Sequence, residues 1–303
     1  MPSLAAISSL PPPAVRDALP RWAGAHVDPS ISAPAAARVA RALEAVPDDA
    51  LAALVEGYGR LGERWDFYPA NPTARAMMRV LMEEVVPAHE LLGHEALEAF
   101  AGGRPRRRLI VCNHLSYVDT QVTDAVLARA GFRDLADRIG AVAGPKVYTD
   151  AWRRLAALGL HTRKTVQSAS VATDQAPLPP RELAAIALDT LRSCVSLMDE
   201  GYVVLLYPEG TRSRDGRLQP FLRAVGRYLS TEGVHVLPMA QTGTEHIFPR
   251  EALTMGPGPV RLAFGSELAP LEDRQAQLQT VHAAIAGLLP AAYAPSPESL
   301  AVV

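Results

Sequence analysis

Between Leu109 and Phe264, short apolar runs recur along the chain: Leu109–Cys112, Ile139–Ala143, Val203–Tyr207, Val234–Met239 and Val260–Phe264. Each is a few residues long and unbroken by charge, as expected of a strand covered on both faces. The stretches between them place apolar residues at helical spacing. They predict helices over Ser116–Ala130, Thr149–Leu158, Pro180–Glu200, Arg223–Glu232 and Asp273–Leu289. This alternation predicts an α/β fold with a mostly parallel mixed sheet flanked by helices.

The N-terminal third reads differently. Residues 1–35 are rich in Pro and Ala with weak periodicity, which predicts a loose arm. From Ala36 to Phe100 helix signals dominate and no strand pattern is visible. Val39, Leu43 and Val46 share a face, Pro47 ends that helix, and Asp48-Asp49 begin the next. The expected organisation is a helical N-terminal subdomain over 1–100 and an α/β domain over 101–303. The polar, Pro-rich stretch Ser168–Pro180 and the tail from Ala294 read as a loop and a disordered end.

Composition narrows the function classes. An apolar content of 49 % supports a substantial core, and a formal charge of −2 argues against general nucleic-acid binding. Cys112 and Cys194 lie far apart in apolar settings, which suits reduced buried thiols better than a disulfide or a zinc site. No basic, apolar leader opens the chain, and no window reaches the roughly 18 apolar residues a membrane span needs. The expectation is a cytoplasmic protein whose membrane contact, if any, is peripheral at the inner membrane face.

The first chemistry-bearing stretch is "VCNHLSYVD", Val111–Asp119. His114 follows a strand run, so it belongs at the strand's carboxyl end, with Asp119 five residues on. A histidine can take a hydroxyl proton near neutral pH, and a carboxylate on its other ring nitrogen fixes the tautomer and stabilises the imidazolium. On one continuous helix the two side chains would diverge by about 140°. Across a turn entering a helix they converge. The plain alternative is a capped helix start, with Ser116 as cap and Asp119 three residues later. No Gly-x-Ser-x-Gly elbow accompanies the pair, so direct deprotonation of an acceptor hydroxyl is the simplest chemistry.

The second stretch, "LLYPEGTRSRDG" (Leu205–Gly216), is again a strand run ending in a turn, now carrying Glu209, Arg212 and Arg214. The two arginines alternate, so both can face one pocket, and paired guanidiniums suit a phosphate monoester. Arg163-Lys164 form a third cluster, of interest if the fold sets them beside Arg212 and Arg214. Arg106–Arg108 read as solvated.

Together, "NHLSYVD" and "YPEGTRS" resemble the two signature blocks of the glycerolphosphate (lysophospholipid) acyltransferase superfamily, with Tyr207 in place of a Phe. "VHVLPM" (Val234–Met239) resembles the proline-centred block that follows. The stretch from Trp65 to Pro249 looks closer to soluble, plastid-type glycerol-3-phosphate acyltransferases than to short membrane-anchored lysophosphatidate enzymes. The resemblance implies His114 as base and Asp119 as its orienter. It implies Arg163, Lys164, Arg212 and Arg214 as phosphate ligands, and Glu209, Gly210 and Thr211 as the acceptor pocket. Two departures fall near the expected acceptor: "GLHTR" (Gly159–Arg163) is shorter and more polar than the usual second block, and Ala224 stands where a Gly is common.

The implied reaction moves a fatty acyl group from acyl-CoA or acyl carrier protein to a hydroxyl of a glycerol 3-phosphate type acceptor. No metal, no permanently bound cofactor and no covalent intermediate are expected. The alternatives are the same chemistry on lysophosphatidate, an amine or the hydroxyl of a specialised metabolite, or a non-catalytic lipid- or carrier-binding relative. A metal hydrolase built on His114 and Asp119 lacks a third ligand and ranks last.

Overall fold

Helices form first along the chain, including where the loose arm was expected. A computed structural model describes residues 10–103, 107–166 and 178–296. In it Pro12–Ala25 is helix α1 and Pro29–Glu44 is α2. Over residues 12–35 the arm is therefore corrected to α1 and the start of α2; residues 1–9 lie outside the described residues. Pro12 sits in the first turn, where its missing N–H costs nothing, and the Asp28 carboxylate accepts from Ser30 N to cap α2. Val15, Leu19, Trp22 and Ala35 are all buried, so the many alanines hide a core-facing stripe. Helix α3, Asp48–Arg60, starts on its two aspartates as expected. Helices α4 (Pro72–Val85) and α5 (His94–Gly102) complete the N-terminal group.

The strand-free reading of Ala36–Phe100 is also corrected. Phe67–Tyr68 (β1) and His89–Leu92 (β2) join the sheet at its two edges, each too short to display a period of two. The other strands are β3 (Arg107–Cys112), β4 (Ile139–Ala143), β5 (His161–Lys164), β6 (Val203–Leu206), β7 (Val234–Thr242) and β8 (Val260–Phe264). Their spatial order is β1-β5-β4-β6-β3-β7-β8-β2. From β5 through β7 every pairing is parallel, while β1 on β5 and β8 on β7 run antiparallel. Among these, β5 is the strand the apolar pattern missed, because its sequence is His-Thr-Arg-Lys.

Helices cover both faces, packed over two apolar clusters. In chain order they are α6 (Asp119–Arg129), α7 (Arg133–Ala136), α8 (Ala151–Leu158), α9 (Pro180–Asp199), α10 (Gly226–Leu229), α11 (Thr244–Ile247) and α12 (Arg274–Leu288). The helix expected over Arg223–Glu232 shrinks to one 3-10 turn and α10. Helix α6 is fixed to the N-terminal group by buried charge. Arg79 on α4 grips Asp124 of α6 with two bonds of 2.7 and 2.8 Å, and reaches Asp137 at 2.7 Å. Arg108 is corrected too. It is 5 % exposed, donating to the Phe100 and Ala101 carbonyls, while Arg107 pairs with Asp199; Arg106 lies outside the described residues. Most of the Ser168–Pro180 loop, and the tail beyond 296, also lie outside them.

Candidate active site

Strand β3 ends at Cys112, and the next residue locks the strand end to its neighbour. The Asn113 side chain accepts from Gln241 N (2.8 Å) and donates to Gln241 O (3.0 Å) on β7. Beyond it the chain turns for five residues before α6 begins at Asp119, so His114 and Asp119 do not share a helix. Within that turn the Asp119 Oδ2 accepts three bonds: from His114 Nδ1 at 2.8 Å, Leu115 N at 2.7 Å and Ser116 N at 3.0 Å. The cap reading and the orienter reading thus describe one carboxylate with two duties. Ser116 itself caps nothing; its hydroxyl donates to Phe248 O across the sheet end. With Nδ1 turned to an acceptor-only carboxylate, Nε2 is the ring nitrogen left over, on a residue that borders the cavity described below. The Tyr207 ring stacks on the imidazole at 4.3 Å, and its hydroxyl meets Thr120 Oγ1 at 2.9 Å.

The loop after β6 closes on this turn from the other side. Glu209 is 5 % exposed; its Oε1 accepts from His114 N (2.7 Å) and its Oε2 from Gln219 N (3.0 Å). Burial pushes its carboxyl up to about 8 against the downward pull of those two N–H bonds. Ser213 N donates to His114 O at 2.7 Å, so both backbone polar groups of His114 are held by this one loop. Gly210 makes the turn possible. Its φ is 71°, and a Cβ there would lie 2.3 Å from Leu222 Cδ1.

Both turns open onto a cavity of about 530 Å³ at the carboxyl ends of β4, β5 and β6, where open parallel sheets bind ligands. Its walls are largely apolar, with Ala141 and Ala143 on one side and Leu183, Ala187 and Leu191 of α9 on the other. Its other end is basic. Arg212 lies over the Tyr117 ring at 3.7 Å, Arg153 lies over the same ring at 4.5 Å, and Arg250 borders the cavity beside them. The Arg212 guanidinium is held below its ordinary value, by burial first and by the charges of Arg250 and Arg153 as well. Three cations gathered this closely can draw an anion, with Arg153 also paired to Asp150 at 3.5 Å and Arg250 to Glu251 at 3.9 Å. Among the described residues, no three His, Cys, Asp or Glu side chains converge as a metal site.

The sequence pattern of the two loops finds its counterpart in known proteins. Residues 102–242 match the Acyltransferase family. Over these residues the chain is similar to that family. A 62-residue stretch is 42 % identical to a chloroplastic 1-acyl-sn-glycerol-3-phosphate acyltransferase of Brassica napus, spanning 20 % of this chain and 18 % of that one. A chloroplastic enzyme of the same name from Arabidopsis thaliana is 40 % identical over 62 residues, 20 % of this chain and 17 % of its own. A third, from Chlamydomonas reinhardtii, is 31 % identical over 104 residues, or 34 % and 31 % of the two chains. This chain therefore spans less than a third of the length of each of these relatives. The crystal structure of the Thermotoga maritima 1-acyl-sn-glycerophosphate acyltransferase superposes with a TM-score of 0.46 at 16 % identity, over 81 % of this chain and 82 % of that one.

The expected site residues separate into two groups. His114, Gly210, Thr211 and Arg212 border the cavity. Asp119 and Glu209 lie behind them as buried supports. Arg163, Lys164 and Arg214 do not join Arg212, and the three-station phosphate cluster is corrected accordingly. Arg163 is 3 % exposed and donates to Asp189 Oδ2 (2.5 Å) on α9. Lys164 donates to Gly62 O (2.7 Å) with its ammonium 4.4 Å from the Trp65 ring centre. Arg214 is exposed and does not border the cavity. Arg250, Tyr117 and Arg153 surround Arg212 instead; Tyr117 belongs to the first block, whereas no local motif announced the two arginines. The two departures from the family pattern do fall at the cavity, since Leu160, Thr162 and Ala224 line it.

Proposed function

We propose that this protein transfers a fatty acyl group from an acyl thioester to a hydroxyl of a 1-acylglycerol 3-phosphate type acceptor. The observation that carries this is the position of the His114–Asp119 pair, 2.8 Å apart, between an apolar cavity and a cluster of arginines. An acyl chain belongs in the apolar part and a phosphate at Arg212, Arg250 and Arg153. The names of the three relatives favour 1-acylglycerol 3-phosphate over glycerol 3-phosphate as acceptor. Only the phosphate, common to both acceptors, follows from the arginines.

In this reading His114 Nε2 takes the proton of the acceptor hydroxyl as its oxygen attacks the thioester carbonyl carbon. Asp119 stabilises the imidazolium so formed. The tetrahedral intermediate then collapses: the C–S bond breaks, the electron pair leaves on sulfur, and the imidazolium returns its proton to the thiolate. The thioester is that of coenzyme A or acyl carrier protein, which share the phosphopantetheine arm. Among the described residues no helix is long and apolar enough to cross a membrane.

The test is incubation of the full chain with palmitoyl-CoA and palmitoyl carrier protein, each against 1-acylglycerol 3-phosphate, glycerol 3-phosphate and a dephosphorylated acceptor. Products are identified by mass. An ester formed only with phosphorylated acceptors is the expected result. Failure to release thiol with any acceptor would refute the reading.

A further inference from the structure

Three hydrogen bonds hold His114, two through its backbone and one through Nδ1, and none of them sets the plane of its ring firmly. The outer torsion of a histidine side chain is broad, and a single hydrogen bond tolerates some misalignment. What fixes the plane is a fourth contact. Tyr207, the first residue after β6, lays its ring against the imidazole with centroids 4.3 Å apart and planes 25° apart. Its hydroxyl meets Thr120 Oγ1 at 2.9 Å, and Thr120 directly follows Asp119 in the chain. The contacts therefore close a circuit: His114 to Asp119, along the backbone to Thr120, across to Tyr207 and back to His114. His114, Thr120 and Tyr207 all border the cavity, so the circuit belongs to the site and not to the distant core. Burial first, and then the charge of Asp119, hold the Tyr207 phenol well above its ordinary value, so it keeps its proton for the bond.

We propose that Tyr207 is a positioning residue: its ring sets the plane of the His114 imidazole, and its hydroxyl bond to Thr120 keeps that ring in place. The proposal rests on the acyl-transfer reading above. Proton transfer to a ring nitrogen depends on its direction, and small misplacements at a reacting centre cost rate far more than binding. The effect of the contact therefore belongs in kcat. A Phe at position 207, the residue the resemblance calls for, would keep the stack and leave the circuit open.

The experiment measures turnover of the full chain with palmitoyl-CoA and one phosphorylated acceptor. Tyr207→Leu, which removes the stack, should lower kcat by about 10- to 100-fold, with both KM values within about twofold of the wild type. Tyr207→Phe and Thr120→Val should each lower kcat by about 3- to 10-fold. Because both remove the same bond, the double variant should lose no more than the larger single loss. A readout independent of turnover is the proton spectrum of His114, whose ring resonances are identified by their absence in His114→Ala. They should move downfield in Tyr207→Leu, where the stacked ring is gone, and keep most of their wild-type shift in Tyr207→Phe. An unchanged kcat in folded Tyr207→Leu overturns the proposal, as does a raised KM with kcat unmoved, which would make the ring a wall for substrate. Losses that multiply in the double variant overturn the circuit. A loss in Tyr207→Phe as large as that in His114→Ala also overturns it, by making the hydroxyl act on substrate directly. If the wild type consumes no thioester, acyl transfer itself fails, and unmoved His114 resonances in Tyr207→Leu would separately refute the positioning.

Discussion

Arg163 and Lys164 on β5, and Arg212 with Arg250 and Arg153 at the cavity mouth, are two cation clusters at one sheet, and they end differently. The first pair is absorbed by the fold. Arg163 is matched by Asp189, and Lys164 by the Gly62 carbonyl and the Trp65 ring. In the second group Arg212 and Arg153 stack on Tyr117; Arg153 also meets Asp150 at 3.5 Å and Arg250 meets Glu251 at 3.9 Å, while burial and the two neighbouring arginines hold Arg212 below its ordinary value. A cation on a strand is surrounded by elements already committed to packing and finds its partner there. Arg212 and Arg250, on loops, border the open crevice, and Arg153 of helix α8 lies beside them.

Substitutions bear on this contrast in decreasing order of effect. His114→Ala should lower kcat by about 100- to 10,000-fold with little change in Tm, which ties the loop-borne cluster to a reaction centre. Steady-state rates near the wild type would detach it. Arg212→Ala should raise the KM for a phosphorylated acceptor by about 10- to 100-fold, at modest cost in kcat. Arg250→Ala should act in the same direction, and an unaltered acceptor KM in both would empty the anion site. Arg163→Ala should do the reverse. Thermal melting should report a loss of about 1–3 kcal/mol, with acceptor KM near wild type. A selective KM effect there would erase the distinction between the clusters. Arg214→Ala, on an exposed side chain, should change both quantities least.

The loop that carries Arg212 is anchored by Glu209, which adds a test by pH. Its carboxyl is raised from 4.5 to about 8 by burial. The folded state therefore holds a proton that the unfolded chain has released. The stability this contributes is present below about 4.5 and is lost as pH rises through about 8. Urea midpoints measured across that window should fall with pH in the wild type and flatten in Glu209→Gln. An identical slope in both would mean that Glu209 is ionised throughout.

What the sequence made legible follows from how local each signal is. Strands β3, β4, β6, β7 and β8 are apolar runs covered on both faces, and a few consecutive residues reveal them. His114, Asp119, Glu209 and Arg212 sit in turns directly after two of those strands, so neighbouring residues announced them as well. Strand β5 was hidden because its polar side chains are satisfied by Asp189 and Gly62, both distant in sequence. Helix α1 and the first half of α2 were hidden because alanine stripes carry little contrast between inner and outer faces, while Val39 and Leu43 revealed the rest of α2. Arg250 was invisible for a similar reason: its loop is drawn to the site by the Ser116–Phe248 bond, which spans 132 residues.

That His114 is gripped through its own backbone, by Glu209 and Ser213, has a consequence for how the chain matures. The bond from His114 N to Glu209 crosses 95 residues of sequence, and it can close only after β3 and β6 have found each other in parallel register. Pairings of such long separation are late and slow events in folding. During refolding, recovery of turnover should trail the return of helical signal, because the His114 imidazole has no fixed orientation until the middle of the sheet is assembled.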